Sequence, residues 1–98
     1  MILKIEKFGT ILVSRQLGKE ALAVFSSDSK NLDKNEKIEI DFNGVEVLSP
    51  SWGDEVFTML QKKFGSRLLI KKSKNSSVTE TLNLLERVNN IKFNFINK

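Results

Sequence analysis

The spacing at which apolar residues recur changes several times along this chain, and this change most constrains the fold. Residues 37–42 (KIEIDF) alternate apolar and charged side chains, which is typical of a strand with one buried face. Residues 17–25 and 56–64 instead carry apolar side chains at spacings of three and four, which is typical of amphipathic helices. Segments of the two kinds alternate, and that order predicts an α/β fold with right-handed crossovers.

The elements are predicted in the order β-β-α-β-α-β-α-β. The predicted strands are residues 1–8, 11–13, 37–42, 67–71 and 91–96. The predicted helices are residues 15–25, 52–64 and 77–88. The first two strands should form a hairpin across Gly9 and Thr10. Because the strand at 37–42 alternates so cleanly, we expect a mixed sheet whose helices pack mainly on one face.

The helix starts are predicted from polar residues that precede apolar runs. Ser14 is a natural cap for the first helix. Ser77 and Glu80 have the spacing of a capping box for the third helix. Gly18, inside the first helix, either lets that helix approach a neighbouring backbone closely or is simply tolerated at a cost of about 1 kcal/mol.

The length of 98 residues allows one domain, residues 1–98, with a single core. No apolar run approaches the roughly 20 residues that span a bilayer. The chain also opens directly on a strand pattern, without the charged and apolar segments of a signal peptide. It contains no cysteine and therefore no disulfide framework. From these features we expect a cytoplasmic protein.

The chain contains no His, Cys or Tyr. The usual general base, the thiolate nucleophile and the main ligands of transition metals are therefore missing. Catalysis would have to use carboxylates, lysines or hydroxyls alone. We therefore expect no enzymatic activity, no metal and no cofactor.

Residues 49–55 (SPSWGDE) bring two serines, a tryptophan and two carboxylates to the start of the second helix. Ser51 and Asp54 have the spacing of a capping box, which explains both structurally. A catalytic pair of Asp54 and Glu55 is a second interpretation, but adjacent helical residues point about 100° apart and cannot easily hold one substrate atom. Trp52 is either a lid over the core or an exposed anchor for a partner.

Arg15 directly follows the cap of the first helix, where the positive end of the helix dipole disfavours a cation. This mildly unfavourable position suggests that Arg15 forms a salt bridge with a nearby carboxylate, either Asp41 or one on an acidic partner. A solvated arginine is the alternative.

The net charge of +4 is unevenly distributed. Residues 56–79 contain no acidic residue, whereas the rest of the chain is slightly acidic. The basic residues of this run are Lys62, Lys63, Arg67, Lys71, Lys72 and Lys74. Such a run is a solvated positive face by default, and contact with nucleic acid, a membrane surface or an acidic protein is the alternative. Nucleic acid is less favoured, because the run lacks the aromatic interleaving of single-strand binders.

Several motifs, in their order and separation, resemble the STAS-like domains, which are relatives of the anti-sigma factor antagonists and of the cytoplasmic domains of sulfate transporters. The motifs are SRQLGKEAL from Ser14, IDFNGVEVLSPSWGDE from Ile40, a basic strand and a capped third helix. They are most similar to a STAS-like branch of unknown function, and the resemblance covers nearly the whole chain.

The resemblance implies a non-catalytic module for reversible protein–protein interaction in a bacterial-type regulatory circuit. In the antagonists, a kinase-like anti-sigma factor phosphorylates a serine at the start of the second helix, and alignment of the strand-to-helix junction places Ser51 there. A kinase-like or ATPase-like partner is therefore implied. Its predicted contact residues are Ser49, Ser51, Trp52, Asp54, Glu55 and Arg15. The alternatives that remain open are a basic-patch nucleic-acid-binding domain and a carboxylate-based enzyme.

Overall fold

A computed structural model describes residues 1–97, and within them the chain forms six strands and four α-helices. The strands are β1 (Ile2–Lys4), β2 (Ile11–Leu12), β3 (Ile38–Asp41), β4 (Val47–Leu48), β5 (Leu68–Lys71) and β6 (Asn94–Ile96). The helices are α1 (Arg15–Asp28), α2 (Pro50–Gly53), α3 (Met59–Phe64) and α4 (Ser76–Asn89). A π-helical turn, Asp54–Thr58, joins α2 to α3 in one continuous helical segment, residues 50–64. Ile5–Phe8 and Gly65–Arg67 form 3₁₀ turns.

Every strand pairing in the described residues is parallel. The main sheet has the order β1-β3-β5-β6, and β2 pairs with β4 in a separate two-stranded sheet. The predicted α/β class is confirmed, whereas the mixed sheet and the hairpin over residues 1–13 are wrong. A 3₁₀ turn redirects the chain after β1, so β1 and β2 pair with β3 and β4 instead of with each other. The observed order also contains β4, which the prediction lacks.

Alternate residues of the main sheet define a covered face and an open face. On β3 and β5, Ile38, Ile40, Leu68 and Ile70 are buried, whereas the residues between and after them are half-buried. Neighbouring strands of this sheet follow one another in the chain, so right-handed crossovers place the intervening helices on the same side. This arrangement agrees with the expectation that the helices cover mainly one face.

The helix caps match the prediction at α1 and differ from it at the two later helix starts. The Ser14 side chain accepts a hydrogen bond from the Leu17 amide (3.2 Å) and caps α1 as predicted. At α2 the cap is Ser49, whose side chain accepts from the Trp52 amide (3.3 Å). The capping box of Ser51 and Asp54 is therefore wrong. Pro50 decides between the serines, because its fixed φ suits the first helical position and its missing N–H is no loss there.

At α4 the cap is Asn75, whose side chain accepts from the Val78 amide (3.0 Å). The capping box of Ser77 and Glu80 is wrong. Ser77 instead binds β4: its hydroxyl accepts from the Leu48 amide (3.0 Å) and donates to the Leu48 carbonyl (3.3 Å). The first turn of α4 therefore supports β4.

A close approach of two backbones organises the core beneath α1. A Cβ atom at Gly18 would lie 3.0 Å from the Trp52 carbonyl oxygen and 3.2 Å from its Cα. The close-approach interpretation of Gly18 is thereby confirmed. Trp52 lies beneath α1, with its indole 6.1 Å from the Phe8 ring and 5.8 Å from the Phe57 ring. The buried apolar side chains of the described residues form a single cluster around it.

The helices in the described part of the chain are all too short or too polar to cross a membrane.

Replacement of Gly18 by alanine should lower the free energy of unfolding by about 1–3 kcal/mol, because the added methyl group would press on backbone atoms that cannot rotate away. This loss is expected even though alanine is intrinsically the better helix former by about 1 kcal/mol. Urea-induced unfolding measures the difference. Lys19→Ala, at the exposed neighbouring position, is the control and should change stability by less than about 0.5 kcal/mol. A Gly18→Ala protein as stable as the control would contradict the close approach.

Candidate functional site

The residues predicted to contact a partner lie where β2 and β4 end and where α1 and α2 begin. The parallel pairing brings these ends together, since the Ser49 amide donates to the Leu12 carbonyl (2.9 Å). The Ser49 hydroxyl donates to the Val13 carbonyl (2.9 Å) while it accepts from the Trp52 amide. Ser49 therefore links the two strand ends, and its hydroxyl acts as both a hydrogen-bond donor and an acceptor.

Arg15 is held by two carboxylates of the helical segment. Its Nη1 donates to Glu55 Oε1 (2.7 Å) and to Asp54 Oδ2 (3.3 Å). The suggested pairing of Arg15 with Asp41 is wrong. Asp41 Oδ2 instead lies 3.5 Å from Lys71 Nζ on the neighbouring strand β5. The carboxylates expected near Arg15 belong to this chain and offset the unfavourable position of a cation at a helix start.

Asp54 and Glu55 converge on one nitrogen, although their positions on the helix suggested that they could not. The reason lies in the partner helix: a Cβ at Gly18 would also lie 3.1 Å from Glu55 Cβ, so α1 passes directly over this turn. Arg15, three residues before Gly18, then reaches both carboxylates. The pair is occupied by a cation of the same chain, which leaves it poorly placed to act on a substrate.

Asp54 also joins the helical segment to α4. The Asn89 side-chain amide donates to Asp54 Oδ1 (3.3 Å) and to the Thr58 hydroxyl (3.4 Å). Both carboxylate oxygens of Asp54 therefore have partners, one on α1 and one on α4. These contacts surround the π-helical turn, a feature that is frequent at functional sites.

The environment of Asp54 lowers its pKa. Partial burial raises the pKa of this carboxyl group, but hydrogen bonds with Thr58, Arg15 and Asn89 outweigh burial and bring the pKa below its ordinary value of 3.8. The hydrogen bonds to Glu55 and then to Asp54 raise the pKa of Arg15. Asp54 is ionised at neutral pH, which does not suit a general acid.

Trp52 does not belong to the surface. Its side chain is 1% exposed, so the interpretation as an exposed anchor is wrong and the core interpretation is correct. The helix begins two residues earlier than predicted, at Pro50, and this places Trp52 on the third helical position, facing α1.

Ser51 is half-buried on the second helical position, three and four residues before the two carboxylates. Within residues 1–97 its hydroxyl makes no hydrogen bond, because Ser49 performs the capping. Ser51 is therefore free of the structural duty that the capping interpretation assigned to it.

An exposed apolar surface, which was not predicted from the sequence, lies beside these residues. Ile11 and Val47 are register partners on β2 and β4 and are 59% and 38% exposed. Val13, two residues after Ile11, is 50% exposed, and Leu17 in the first turn of α1 is 56% exposed. We call Ile11, Val13, Leu17 and Val47 the β2–β4 surface. The alternation of exposed Ile11 and Val13 around buried Leu12 was a visible signal, but the pairing with β4 was not.

The predicted basic run does not form one continuous patch. Lys62, Lys63 and Arg67 precede β5, whereas Lys71, Lys72 and Lys74 lie at its other end. Arg67 donates to the backbone carbonyls of Asp33 (3.1 Å) and Glu36 (3.4 Å).

The Arg67 guanidinium also lies 5.0 Å from the centre of the Phe64 ring, and the Lys63 ammonium lies 5.4 Å from it. Part of the run is therefore structural, and nucleic acid would meet no continuous basic stripe. Among residues 1–97, no group of three or more acidic side chains could hold a metal ion.

Comparison with models of protein families gives a match. A family model described as "STAS-like domain of unknown function (DUF4325)" matches residues 24–80, from the second half of α1 to the first turns of α4. Searches of curated proteins and of solved structures find no match.

Asp54→Asn should lower the free energy of unfolding by about 0.5–1 kcal/mol at pH 7, a small value because the carboxylate is partly exposed and screened. A lowered folded-state pKa stabilises the protein above the unfolded-state pKa, and this stabilisation is lost as the pH falls through the folded-state pKa. The difference between the two proteins should therefore shrink below the ordinary value of 3.8.

Urea-induced unfolding between pH 7 and pH 2 measures this difference. Asp33→Asn is the control, because the Asp33 side chain is exposed and forms no ion pair within the described residues. It should change stability by less than about 0.5 kcal/mol. A difference between wild type and Asp54→Asn that stays constant down to pH 2 would contradict the role of the ionised carboxylate.

Proposed function

The chain belongs to the family of STAS-like domains of unknown function, and on that premise we propose that it is a protein-interaction module that makes and breaks no bond of its own. The proposed partner is a kinase-like or ATPase-like regulator in a bacterial-type regulatory circuit, as the resemblance to the antagonists implies. Such a partner would place the interaction in the cytoplasm. The observation that carries the proposal is the exposed β2–β4 surface.

The β2–β4 surface brings together exposed apolar side chains, and their burial by a protein partner would be favourable. Exposed apolar residues that stand alone are ordinary, and Val88 on α4 is such a residue at 71% exposure. Ile11 and Val47 differ from it because they lie side by side, with Val13 directly after the end of β2. Contiguous apolar patches with polar rims are typical of protein-binding sites.

The charged residues next to this surface provide such a rim. Arg15 uses only Nη1 in its hydrogen bonds within the described chain, so Nη2 and Nε can bind a carboxylate of a partner. Arginine is also enriched in interfaces. The interface that we propose is therefore centred on the β2–β4 surface, with Arg15, Glu55 and Ser51 at its edge. Trp52 and Ser49 support it from within.

Ser51 is the candidate switch of this interface. A phosphate there would bring about 1.5–2 negative charges to a helix start, which favours them. Asp54 and Glu55 oppose that charge, but Arg15 already lies on both and offsets part of the repulsion. The modification would then change the charge at the rim while the domain stays folded.

Interaction through the β2–β4 surface can be tested by affinity capture with chemical cross-linking. The doubly substituted protein Ile11→Thr, Val47→Thr should lose the partner that the wild type retains, because threonine keeps the β-branched shape but replaces apolar groups with hydroxyls. Val88→Thr is the matched control and should capture the partner as the wild type does. Circular dichroism melts establish that all three proteins are folded.

Equal capture by wild type and the double variant would move the interface elsewhere. Equal loss with Val88→Thr would mean that the capture depends on general surface hydrophobicity, and this outcome also contradicts the proposal.

A second test asks whether Arg15 offsets the repulsion between a negative charge at Ser51 and the carboxylates of Asp54 and Glu55. Ser51→Asp alone should shift the unfolding midpoint by less than about 4 °C, which for this size corresponds to under about 1 kcal/mol. In an Arg15→Gln background the same substitution should lower the midpoint further, because Asp54 and Glu55 then lack their cation.

Ser76→Asp is the matched control for this test, since Ser76 also starts a helix and has Glu80 four residues later. Its effect should not depend on residue 15. An effect of Ser51→Asp that is the same in both backgrounds would refute the compensation.

A further inference from the structure

We propose that the carboxyl end of the main sheet holds a site for a small amphipathic anion. The lysines that follow β5 would bind the anionic group, and an adjoining pocket would take the apolar part. The proposal is independent of the β2–β4 surface and of any protein partner.

The position of the site follows from the sheet topology. Because all four strands of the main sheet are parallel, their carboxyl ends meet at one edge, where open α/β sheets commonly bind ligands. A cleft of about 360 Å³ opens there. It lies between residues 41–43, which end β3 and begin the next loop, and residues 71–74, which end β5.

The cleft is positively charged. Lys71, Lys72 and Lys74 line it, and the only carboxylate among its lining residues is Asp41. Asp41 forms an ion pair with Lys71 (3.5 Å), whereas Lys72 and Lys74 are exposed and form no ion pair within residues 1–97. Two uncompensated ammonium groups on one wall favour a carboxylate, sulfonate or phosphate group.

A second pocket of about 250 Å³ adjoins this cleft and is mostly apolar. Lys72 and Ser73 line both cavities, so the two share a wall. The apolar lining comes from Val78 and Leu82 on α4 and from Phe95 on β6, whose side chain is 38% exposed. An apolar pocket beside convergent cationic groups is the usual form of a small-molecule site, and it selects a ligand with both characters.

Hydrogen bonds hold the walls of both cavities in place. The Asn75 side-chain amide donates to the carbonyls of Val45 (3.1 Å) and Glu46 (3.0 Å), which fixes the loop after β3 to the start of α4. The Ser73 hydroxyl accepts from the backbone amide of Asn75 (3.1 Å), and the Thr79 hydroxyl donates to the Ser73 carbonyl (3.3 Å). A wall that is ordered before binding reduces the entropy lost on binding.

The probe for this site is 8-anilinonaphthalene-1-sulfonate, which carries one sulfonate on an aromatic body. Titration into the ¹⁵N-labelled protein, followed by two-dimensional NMR, should give saturable shifts at residues 41–43, 72–74 and 78–82. Well-dispersed spectra throughout show that the probe binds the folded state. N-phenyl-1-naphthylamine, the neutral counterpart, and inorganic sulfate should each bind at least about fivefold more weakly, since each lacks one of the two contacts.

Substitutions separate the two halves of the site. Lys72→Gln, Lys74→Gln should weaken binding of the probe by about fivefold or more, and Phe95→Ser should weaken it by a similar factor. Lys62→Gln, Lys63→Gln removes the same charge from the other end of the basic run and should leave the affinity unchanged.

Four results would overturn the proposal. The first is a set of shifts that does not saturate or that lies outside these residues. The second is an equal loss of affinity in the Lys62, Lys63 variant, which would reduce the effect to net charge. The third is equal affinity for the neutral counterpart, which would leave an apolar pocket without an anion site. Binding of an acidic peptide with no binding of the probe would likewise replace this site with a protein interface.

Discussion

The structure depends on one close contact, the approach of α1 to the helical segment of residues 50–64 at Gly18. With no side chain at this position, the α1 backbone reaches the carbonyl and Cα of Trp52, and the indole is enclosed. The same approach carries Arg15 over Asp54 and Glu55. Core packing and the surface ion pairs are therefore two consequences of one missing Cβ.

The helical segment is also held from its other side, by α4. A Cβ at Gly53 would lie 3.1 Å from side-chain atoms of Leu85 and Thr81, so α4 also packs closely against this segment. Asn89 then satisfies Asp54 and Thr58 within the π-helical turn. The acidic residues that resembled a catalytic pair thus serve to join three helices. The exposed apolar side chains and Arg15 remain accessible at this end of the molecule.

Sequence patterns predicted what is decided within a single element. The alternation of Ile38, Ile40 and Phe42 and the cap at Ser14 are local features, and the structure has both. The choice among neighbouring polar residues failed at α2 and α4, where the cap lies two positions before the predicted serine.

Non-local features were not predictable from such patterns. The pairing of β2 with β4 joins segments 36 residues apart, and no local spacing encodes it. The β2–β4 surface exists only because of that pairing, and the burial of Trp52 exists only because α1 crosses above it. The α/β class was therefore within reach of the sequence, whereas the apolar character of the candidate site was not. The side chains that give the site that character come together only through tertiary contacts.

The β2–β4 surface and the lysine-lined cleft are both connected to the start of α4. This shared support limits how the two sites can influence each other. Asn75 fixes the carbonyls of Val45 and Glu46, directly before β4, while its own loop carries the lysines of the cleft. Ser77 and Thr81 hold Leu48 from the same helix start. Coupling between distant sites requires an element with two arrangements. The backbone from Val45 to Leu48 is instead held at three carbonyls, those of Val45, Glu46 and Leu48, and provides a fixed support. We therefore expect the cleft and the β2–β4 surface to be positioned together and to act independently.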